Sequence, residues 1–231
     1  MRRNLRNAFE EKSWAGKKGS APRSGPGSTL EQTQQLRAAL PRLFDQYGVK
    51  TFLDAPCGDW FWMQHVDLAG ISYIGGDISK AVIDANAAEF AKPGVSFLHL
   101  DITSDPLPAA EMILCRDCMM HLKDWLRWAF FENFVTSDAR YLMTTVHHVL
   151  ENKTVVNNGG FKRFNPAAPP FNFAPALELI PETPATLDAD ILENRIAAPE
   201  HRSIGIWSKQ QVHDALARRA AEQEQTDATA L

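Results

Sequence analysis

The chain has little of several features that define common protein classes. Its three cysteines, an odd number among 231 residues, argue against a disulfide framework and fit a reducing compartment. A formal net charge of −4 gives no general attraction to nucleic acid or anionic lipid. No apolar run is long enough to span a bilayer, and no apolar stretch near the first residue has the form of a secretory signal. We therefore predict a cytoplasmic protein with no nucleic-acid or membrane partner.

The chain also lacks the clustered glycines of a dinucleotide-binding turn. Such a turn needs three glycines so that the backbone can approach a pyrophosphate and the helix can pack on the strand. Here the corresponding turn has Pro56, Gly58 and Trp60, and proline has no N–H to offer a phosphate. A nicotinamide-dependent oxidoreductase stays open as an alternative, but the turn disfavours it.

What the chain does have is an ordinary globular composition, with 45% hydrophobic and 23% charged residues. Its length predicts one main domain, which we place at residues 29–221. Residues 1–28 are expected to form a flexible basic leader, and residues 222–231 a fraying tail. Residues 147–175 show no period and are expected to be an insertion that contacts the substrate.

Short apolar segments alternate with segments of helical period, which predicts a mostly parallel sheet with helices on both faces. A capping box at Ser28 and Glu31 is expected to begin the first helix. The predicted helices lie near residues 28–47, 58–67, 79–90, 120–135 and 208–221. The predicted parallel strands lie near residues 50–54, 71–76, 95–100, 111–116 and 140–145. Two late segments, 177–180 and 203–207, complete a doubly wound seven-stranded α/β fold as an antiparallel edge pair.

Four acidic residues follow the predicted strands, one at each carboxyl end: Asp54, Asp77, Asp101 and Asp117. The carboxyl ends of parallel strands meet at one edge of a sheet, where ligands of open α/β folds bind. A row of carboxylates suits a cationic sulfonium ligand better than a phosphate. The pattern therefore indicates S-adenosyl-L-methionine as the cofactor.

The motifs around these acids resemble those of the class I (Rossmann-like) S-adenosylmethionine-dependent methyltransferases. The similarity rests on Asp54-Ala-Pro-Cys-Gly-Asp59, Gly76-Asp77-Ile78, Leu100-Asp101-Ile102 and Cys115-Arg116-Asp117. It is closest to a bacterial branch with this Asp-Ala-Pro-Cys-Gly-Asp first motif, a Pro-Phe-Asn-Phe segment (170–173) and a Ser-Gly-x-Gly-Ser element (24–28).

The resemblance implies roles for individual residues toward the cofactor. Asp77 is expected to accept hydrogen bonds from the ribose diol, and Asp54 to orient waters or the ligand ammonium. Asp101 and Ile102 are expected to flank the adenine, although Asp101 also suits a simple turn. The other implied cofactor contacts are Ala55, Pro56, Gly58, Trp60, Ile78 and Arg116.

Residues beyond strands 4 and 5 are the candidates for catalysis and acceptor binding. Asp117, His121 and His147 are candidate general bases, with an ion pair as the alternative role of Asp117. The candidate substrate contacts are His148, Arg163, Asn172 and Phe173. Cys115 and Cys118 have the spacing of a metal or redox motif, but no second ligand pair completes it, so we predict no metal.

The sequence thus predicts methyl transfer to an oxygen or nitrogen of a small-molecule or glycan-like acceptor. A non-catalytic methyltransferase-like binding protein is the second alternative. The leader, through Trp14 and residues 24–28, is expected to fold over the cofactor as a lid. The identity of the acceptor and the oligomeric state are left open by the sequence.

Overall fold

The structure, a computed structural model, describes residues 22–182 and 189–229. Most of the predicted basic leader, including Trp14, lies outside the described residues. Residues 22–33 form turns, with a short 3₁₀ helix at Pro26–Ser28.

The described residues form one seven-stranded sheet in the order β3-β2-β1-β4-β5-β7-β6. Strands β1 to β5 run parallel to one another, and β7 is antiparallel to both β5 and β6. The doubly wound, mostly parallel sheet and its antiparallel edge pair are therefore confirmed. The strands are β1 (Thr51–Asp54), β2 (Ser72–Asp77), β3 (Val95–His99), β4 (Met112–Cys115), β5 (Tyr141–His148), β6 (Glu178–Pro181) and β7 (Ala198–Ser208).

Helices connect the strands and cover both faces of the sheet. They are α1 (Gln34–Tyr47), α2 (Lys80–Phe90), α3 (Asp124–Thr136), the short α4 (Ala189–Leu192) and α5 (Lys209–Thr229). Neighbouring side chains of β1 point to opposite faces, as the pleat of a strand requires. Phe52 packs with Leu36, Leu40 and Leu43 of α1 in one core cluster, and Leu53 packs in another with Phe130, Phe131 and Phe134 of α3.

Several predicted helix boundaries need correction. The segment 58–67 is a series of turns with a single 3₁₀ turn at Met63–His65, because Gly58 and Trp60 adopt φ of 56° and 55°, which a right-handed helix cannot contain. The capping box at Ser28 does not form, and α1 begins after Thr33 instead. The last helix does not end near Ala221 but continues to Thr229.

Helix α3 begins later than the sequence predicted, at Asp124 rather than near Met120. The residues before it, Met119–His121, form a separate 3₁₀ turn that ends at Leu122, whose backbone is extended. None of the described helices combines the length and apolar character that crossing a membrane requires.

Candidate functional site

A cavity of about 910 Å³ opens at the carboxyl edge of the sheet, where β1, β2, β4 and β5 end. Its two halves differ in chemistry. The acidic half, beyond β1 to β3, contains Asp54, Asp77 and Asp101. The ion-paired half contains Arg116, Asp117 and His121, which follow β4, together with His147 of β5 and Arg202 of β7.

Asp77 is the last residue of β2 and is almost fully buried. Its carboxylate accepts backbone N–H groups from both sides, Oδ2 from Gly58 at 3.1 Å and Oδ1 from Ser79 at 2.8 Å. Burial nonetheless raises the pKa of Asp77 above its ordinary value. These hydrogen bonds hold the carboxylate in a single orientation at the cavity wall, next to Ile78, which also lines the cavity.

Asp54, the last residue of β1, is buried and accepts a hydrogen bond from the hydroxyl of Tyr73 at 2.8 Å. Burial raises the pKa of Asp54 to about 7, while the Tyr73 hydroxyl and the charge of Arg116 act in the opposite direction. A carboxyl group in this state can change its ionisation when a cation enters the cavity.

Asp101 follows β3 and lines the cavity together with Ile102. Its Oδ1 accepts the N–H of Thr103 at 3.0 Å and the hydroxyl of Thr103 at 2.6 Å. The turn role that the sequence allowed for Asp101 is therefore present. It is compatible with a ligand contact, because the residue still faces the cavity.

Residues 23–28, which we term the strap, cross the cavity and line it. The Ser24 hydroxyl donates to Asp59 Oδ1 at 2.8 Å, and the backbone N–H of Arg23 donates to the same carboxylate. The carbonyl of Gly27 accepts from Arg116 Nη2 at 2.6 Å. The strap also fits closely, since a β-carbon at Gly58 would lie 2.8 Å from Ser24 Cβ.

Arg116 is buried below the strap, and the N–H groups of its guanidinium bind other groups of the protein. Nε donates to Glu182 at 2.7 Å, Nη1 lies 3.2 Å from Asp117 Oδ2, and the guanidinium lies over the Trp62 ring at 5.5 Å. Arg116 therefore connects the strap, the strand end and residue 182. Its predicted direct contact with the cofactor stays a prediction.

Asp117 follows β4, and its backbone φ is 51°. Its carboxylate accepts hydrogen bonds from Arg202 and Thr145. Arg202 Nη1 lies 3.1 Å from both carboxylate oxygens, and the Asp117 N–H donates to Thr145 Oγ1 at 2.9 Å. Burial favours a raised pKa for Asp117, but the charges of Arg116 and Arg202 outweigh it and hold the pKa below the ordinary value. The ion-pair alternative is thus observed, and it makes Asp117 a weak base.

The Nδ1 atoms of the two histidines in the ion-paired half form hydrogen bonds with different kinds of backbone group, a carbonyl oxygen and an N–H. His121 Nδ1 lies 2.5 Å from the carbonyl oxygen of Gly160. His147 Nδ1 accepts the backbone N–H of Phe164 at 3.3 Å. Burial lowers the pKa of His147 to about 4, with Arg202 adding to the effect and Asp117 opposing it.

Two residues predicted to contact the cofactor, Trp60 and Ala55, lie in the core and do not line the cavity. The ring of Trp60 is almost fully buried against Tyr73, Phe90 and Phe97, with centroid distances of 5.6, 4.9 and 5.6 Å. Ala55 is buried, and its N–H donates to the carbonyl of Leu114 at 2.9 Å. Neither residue lines the cavity, whereas Pro56 and Gly58 do.

The four predicted substrate contacts also lie outside the cavity lining. His148 is buried and pairs with Ser203 Oγ at 2.9 Å, because it points to the opposite side of β5 from His147. Arg163 donates to the carbonyl of Pro199 at 2.9 Å, and the Asn172 carbonyl accepts from Arg218 at 2.7 Å. Phe173 packs against Phe131 and Trp207. The insertion packs on the core through buried residues such as Phe164, Phe171 and Phe173, and it lines the cavity with His147 and Phe161.

Sequence reasoning did not identify Arg202 and Glu182. Arg202 lies in β7 opposite His147, next to a register shift in the β5–β7 pairing. Glu182 follows β6, and its side chain is fully buried between Arg116 and Arg202 at 2.7 and 2.9 Å. No local sequence pattern indicates that either residue belongs to the site, because both reach it through the pairing of strands that are distant in the chain.

Two cysteines, Cys57 and Cys118, line the cavity. Cys115 and Cys118 are buried free thiols, and burial raises the pKa of Cys115 well above its ordinary value. Within residues 22–182 and 189–229, no group of three or more His, Cys, Asp or Glu side chains is placed to hold a metal ion.

Comparisons with known proteins identify the fold. No protein-family model matches the chain, and no curated protein sequence matches it. Among solved structures, the 1,6-didemethyltoxoflavin N1-methyltransferase of Burkholderia thailandensis, with 1,6-didemethyltoxoflavin and S-adenosylhomocysteine bound, has a TM-score of 0.54 at 14% identity. The match covers 89% of this chain and 87% of that one.

Two further solved structures agree with that match. The N-methyltransferase NodS of Bradyrhizobium japonicum WM9 has a TM-score of 0.53 at 12% identity, covering 77% of this chain and 96% of that one. An S-adenosylmethionine-dependent methyltransferase of Clostridium acetobutylicum has a TM-score of 0.52 at 9% identity, covering 75% and 90%. At these identities the likeness establishes a shared fold, the α/β fold of class I methyltransferases.

Proposed function

We propose that the chain is an S-adenosylmethionine-dependent methyltransferase that acts on an oxygen or nitrogen of a small-molecule or glycan-like acceptor in the cytoplasm. The observation that carries the proposal is the Asp77 carboxylate. It ends β2 inside the cavity, oriented by the N–H groups of Gly58 and Ser79. A carboxylate held in this way suits the two hydroxyls of a ribose, each of which donates one hydrogen bond.

The charge of the acidic half supports the same ligand. Asp54, Asp77 and Asp101 line one half of the cavity, and they favour a ligand with cationic sulfonium and ammonium groups. The same carboxylates repel a diphosphate, so they disfavour a nicotinamide dinucleotide. Bound S-adenosylmethionine would supply an electrophilic methyl group at the boundary between the two halves.

The size of the cavity supports turnover rather than binding alone. About 910 Å³ lies at the upper end of the range for small-molecule sites, roughly 300–1,000 Å³. That volume accommodates a nucleoside ligand in the acidic half and leaves the ion-paired half for a second molecule. A protein that only bound the nucleoside would have no need for the second half.

Calorimetry with S-adenosylhomocysteine tests the cofactor assignment. Asp77→Ala should weaken binding by about 1.5–3 kcal/mol, the range for hydrogen bonds to a charged group. Asp84→Ala is the matched control, because Asp84 forms an exposed pair with Lys80 at 2.7 Å on helix α2. Equal affinity in wild type and Asp77→Ala, with both proteins folded, would refute the ribose assignment.

Two further measurements separate the alternatives. Transfer of tritium from methyl-labelled S-adenosylmethionine to any acceptor distinguishes an enzyme from a non-catalytic binding protein. A fluorescence titration with NADH tests the oxidoreductase alternative, for which we expect no saturable binding.

A further inference from the structure

Three of the described arginines line the cavity, and they differ in what surrounds their charge. Arg116 and Arg202 each pair with both Asp117 and Glu182 in the ion-paired half. Arg23, the first residue of the strap, is exposed, and in the part of the chain that the structure describes its guanidinium belongs to no ion pair. The strap therefore brings to the cavity a cation that the network does not neutralise.

The backbone of Arg23 is fixed to the turn that follows β1. Its N–H donates to the carboxylate of Asp59, and the hydroxyl of Ser24 donates to Asp59 Oδ1 at 2.8 Å. Ser24 also packs on Gly58, where a β-carbon would lie 2.8 Å from Ser24 Cβ. These contacts place Arg23 at the acidic half of the cavity, beside the end of the strand that carries Asp54.

The carboxylates of the acidic half leave a problem of selectivity. The amino-acid end of S-adenosylmethionine carries an ammonium and a carboxylate, so Asp54 and Asp77 attract one group and repel the other. A nucleoside that kept the sulfur and the ammonium but lacked the carboxylate would suit these side chains better. Selection of the complete amino acid therefore requires a cation at this end of the cavity, which favours the intended ligand and disfavours the more cationic one.

Arg23 is the arginine placed to supply that charge. A guanidinium binds a carboxylate through two parallel N–H···O hydrogen bonds, and Arg116 and Arg202 already bind carboxylates of the protein. The fixed backbone of Arg23 limits the part that has to be ordered on binding to the side chain itself.

We propose, on the basis of the methyltransferase function above, that Arg23 binds the carboxylate of the amino-acid part of the cofactor and makes the cavity specific for ligands that carry this group. The strap thereby recognises the amino-acid end of the ligand, while the ribose is bound by Asp77 at the end of β2. A nucleoside that ends in an amine alone is disfavoured by the charge of the same arginine.

Calorimetry on the full chain with a matched pair of ligands tests the proposal. One ligand is S-adenosylhomocysteine, and the other is its decarboxylated analogue, in which an aminopropyl chain replaces the amino acid. Arg23→Ala should weaken binding of S-adenosylhomocysteine about tenfold, the lower end of the range for charged hydrogen bonds, because Arg23 is exposed. The same variant should bind the decarboxylated analogue at least as tightly as the wild type does.

Two further variants separate the charge of Arg23 from the shape of the strap. Arg23→Lys keeps a cation and should recover part of the affinity for S-adenosylhomocysteine. Arg42→Ala is the matched control, because Arg42 is an exposed arginine of α1 that pairs with Glu178 away from the cavity lining, and it should leave both affinities unchanged. Higher ionic strength should reduce the preference of the wild type for S-adenosylhomocysteine more than that of Arg23→Ala.

Two results overturn the proposal. If Arg23→Ala weakens the two ligands equally, a displaced strap and not a lost charge is the cause. If Arg23→Ala leaves the affinity for S-adenosylhomocysteine unchanged, Arg23 does not bind the carboxylate.

The failure of this proposal can be separated from the failure of the proposed function. If Asp77→Ala weakens S-adenosylhomocysteine binding and Arg23→Ala does not, the cofactor assignment stands and only the role of Arg23 is wrong. If S-adenosylhomocysteine does not bind to the wild type, the proposed function is wrong and the role of Arg23 falls with it.

Discussion

The two halves of the cavity hold their polar groups in different ways. In the acidic half, Asp77 and Asp101 are oriented by three backbone N–H groups, two of which lie two residues further along the chain. In the ion-paired half, Arg116, Asp117, Glu182 and Arg202 are oriented by one another, across 85 residues in the case of Asp117 and Arg202. One half relies on local turns and the other on long-range pairing.

The difference in charge follows from the difference in construction. Backbone dipoles hold a carboxylate without neutralising it, so the acidic half keeps its negative charge for a cationic ligand. The two cations and two anions of the network cancel one another, so the ion-paired half is close to neutral. This arrangement separates a site that attracts by charge from one that selects by hydrogen bonding and shape.

The largest effect is expected from removing the centre of the network. Glu182→Ala leaves the buried guanidinium group of Arg116 and the partly buried one of Arg202 without their shared carboxylate, which should lower the free energy of unfolding by about 3–5 kcal/mol. Chemical denaturation measures the loss. The matched control is Glu178→Ala, because Glu178 pairs with Arg42 at the surface, where the side chains are 25% and 52% exposed, and such pairs contribute about 0–1 kcal/mol. Equal losses in the two variants would contradict a buried, mutually dependent network.

A smaller effect, in the acidic half, is a dependence of cofactor affinity on pH. Because burial raises the pKa of Asp54 to about 7 from an ordinary 3.8, the group is mostly protonated at pH 6 and must lose its proton to face a cationic ammonium. Affinity for S-adenosylhomocysteine should therefore rise about tenfold from pH 6 to pH 8, equivalent to roughly 1.4 kcal/mol. Calorimetry at three pH values checks this. Asp54→Asn should bind S-adenosylhomocysteine more weakly, and its affinity should not rise between pH 6 and pH 8. If the affinity of this variant rises as in the wild type, a group other than Asp54 is responsible for the pH dependence.

The smallest effect concerns the strap that covers both halves. A β-carbon at Gly27 would overlap Asp117 Oδ2, so Gly27→Ala should displace the strap and weaken S-adenosylhomocysteine binding by about 1 kcal/mol, the net contribution of one or two hydrogen bonds. Hydrogen exchange of residues 22–28 should slow on ligand binding in the wild type and less in the variant. Ser24→Ala, which only removes the hydrogen bond to Asp59, should have a smaller effect. Exchange that is the same with and without ligand would refute the lid.

The predicted strands were reproduced where apolar runs were bounded by turn residues, and the order of the sheet agrees with the alternation of strands and helices. The prediction of helix 58–67 was wrong because a local period does not reveal positive φ at Gly58 and Trp60. Trp60, a predicted cofactor contact, does not line the cavity for a related reason. Its turn directs the ring toward Tyr73 and Phe90, a contact between distant segments.

By itself, the sequence determined the α/β fold and the acidic half of the cavity. Each carboxylate there ends a strand or lies within two residues of its end, and the carboxyl ends of parallel strands must meet at one edge. The sequence also named Arg116, Asp117, His121 and His147 as site residues, but only the tertiary structure decided how the groups of the ion-paired half are paired. Arg202 and Glu182 reach it through the pairing of β7 with β5 and β6, and the ring nitrogens of His121 and His147 form hydrogen bonds with backbone groups of the insertion. Contacts of that kind join residues far apart in the chain, so no local pattern encodes them.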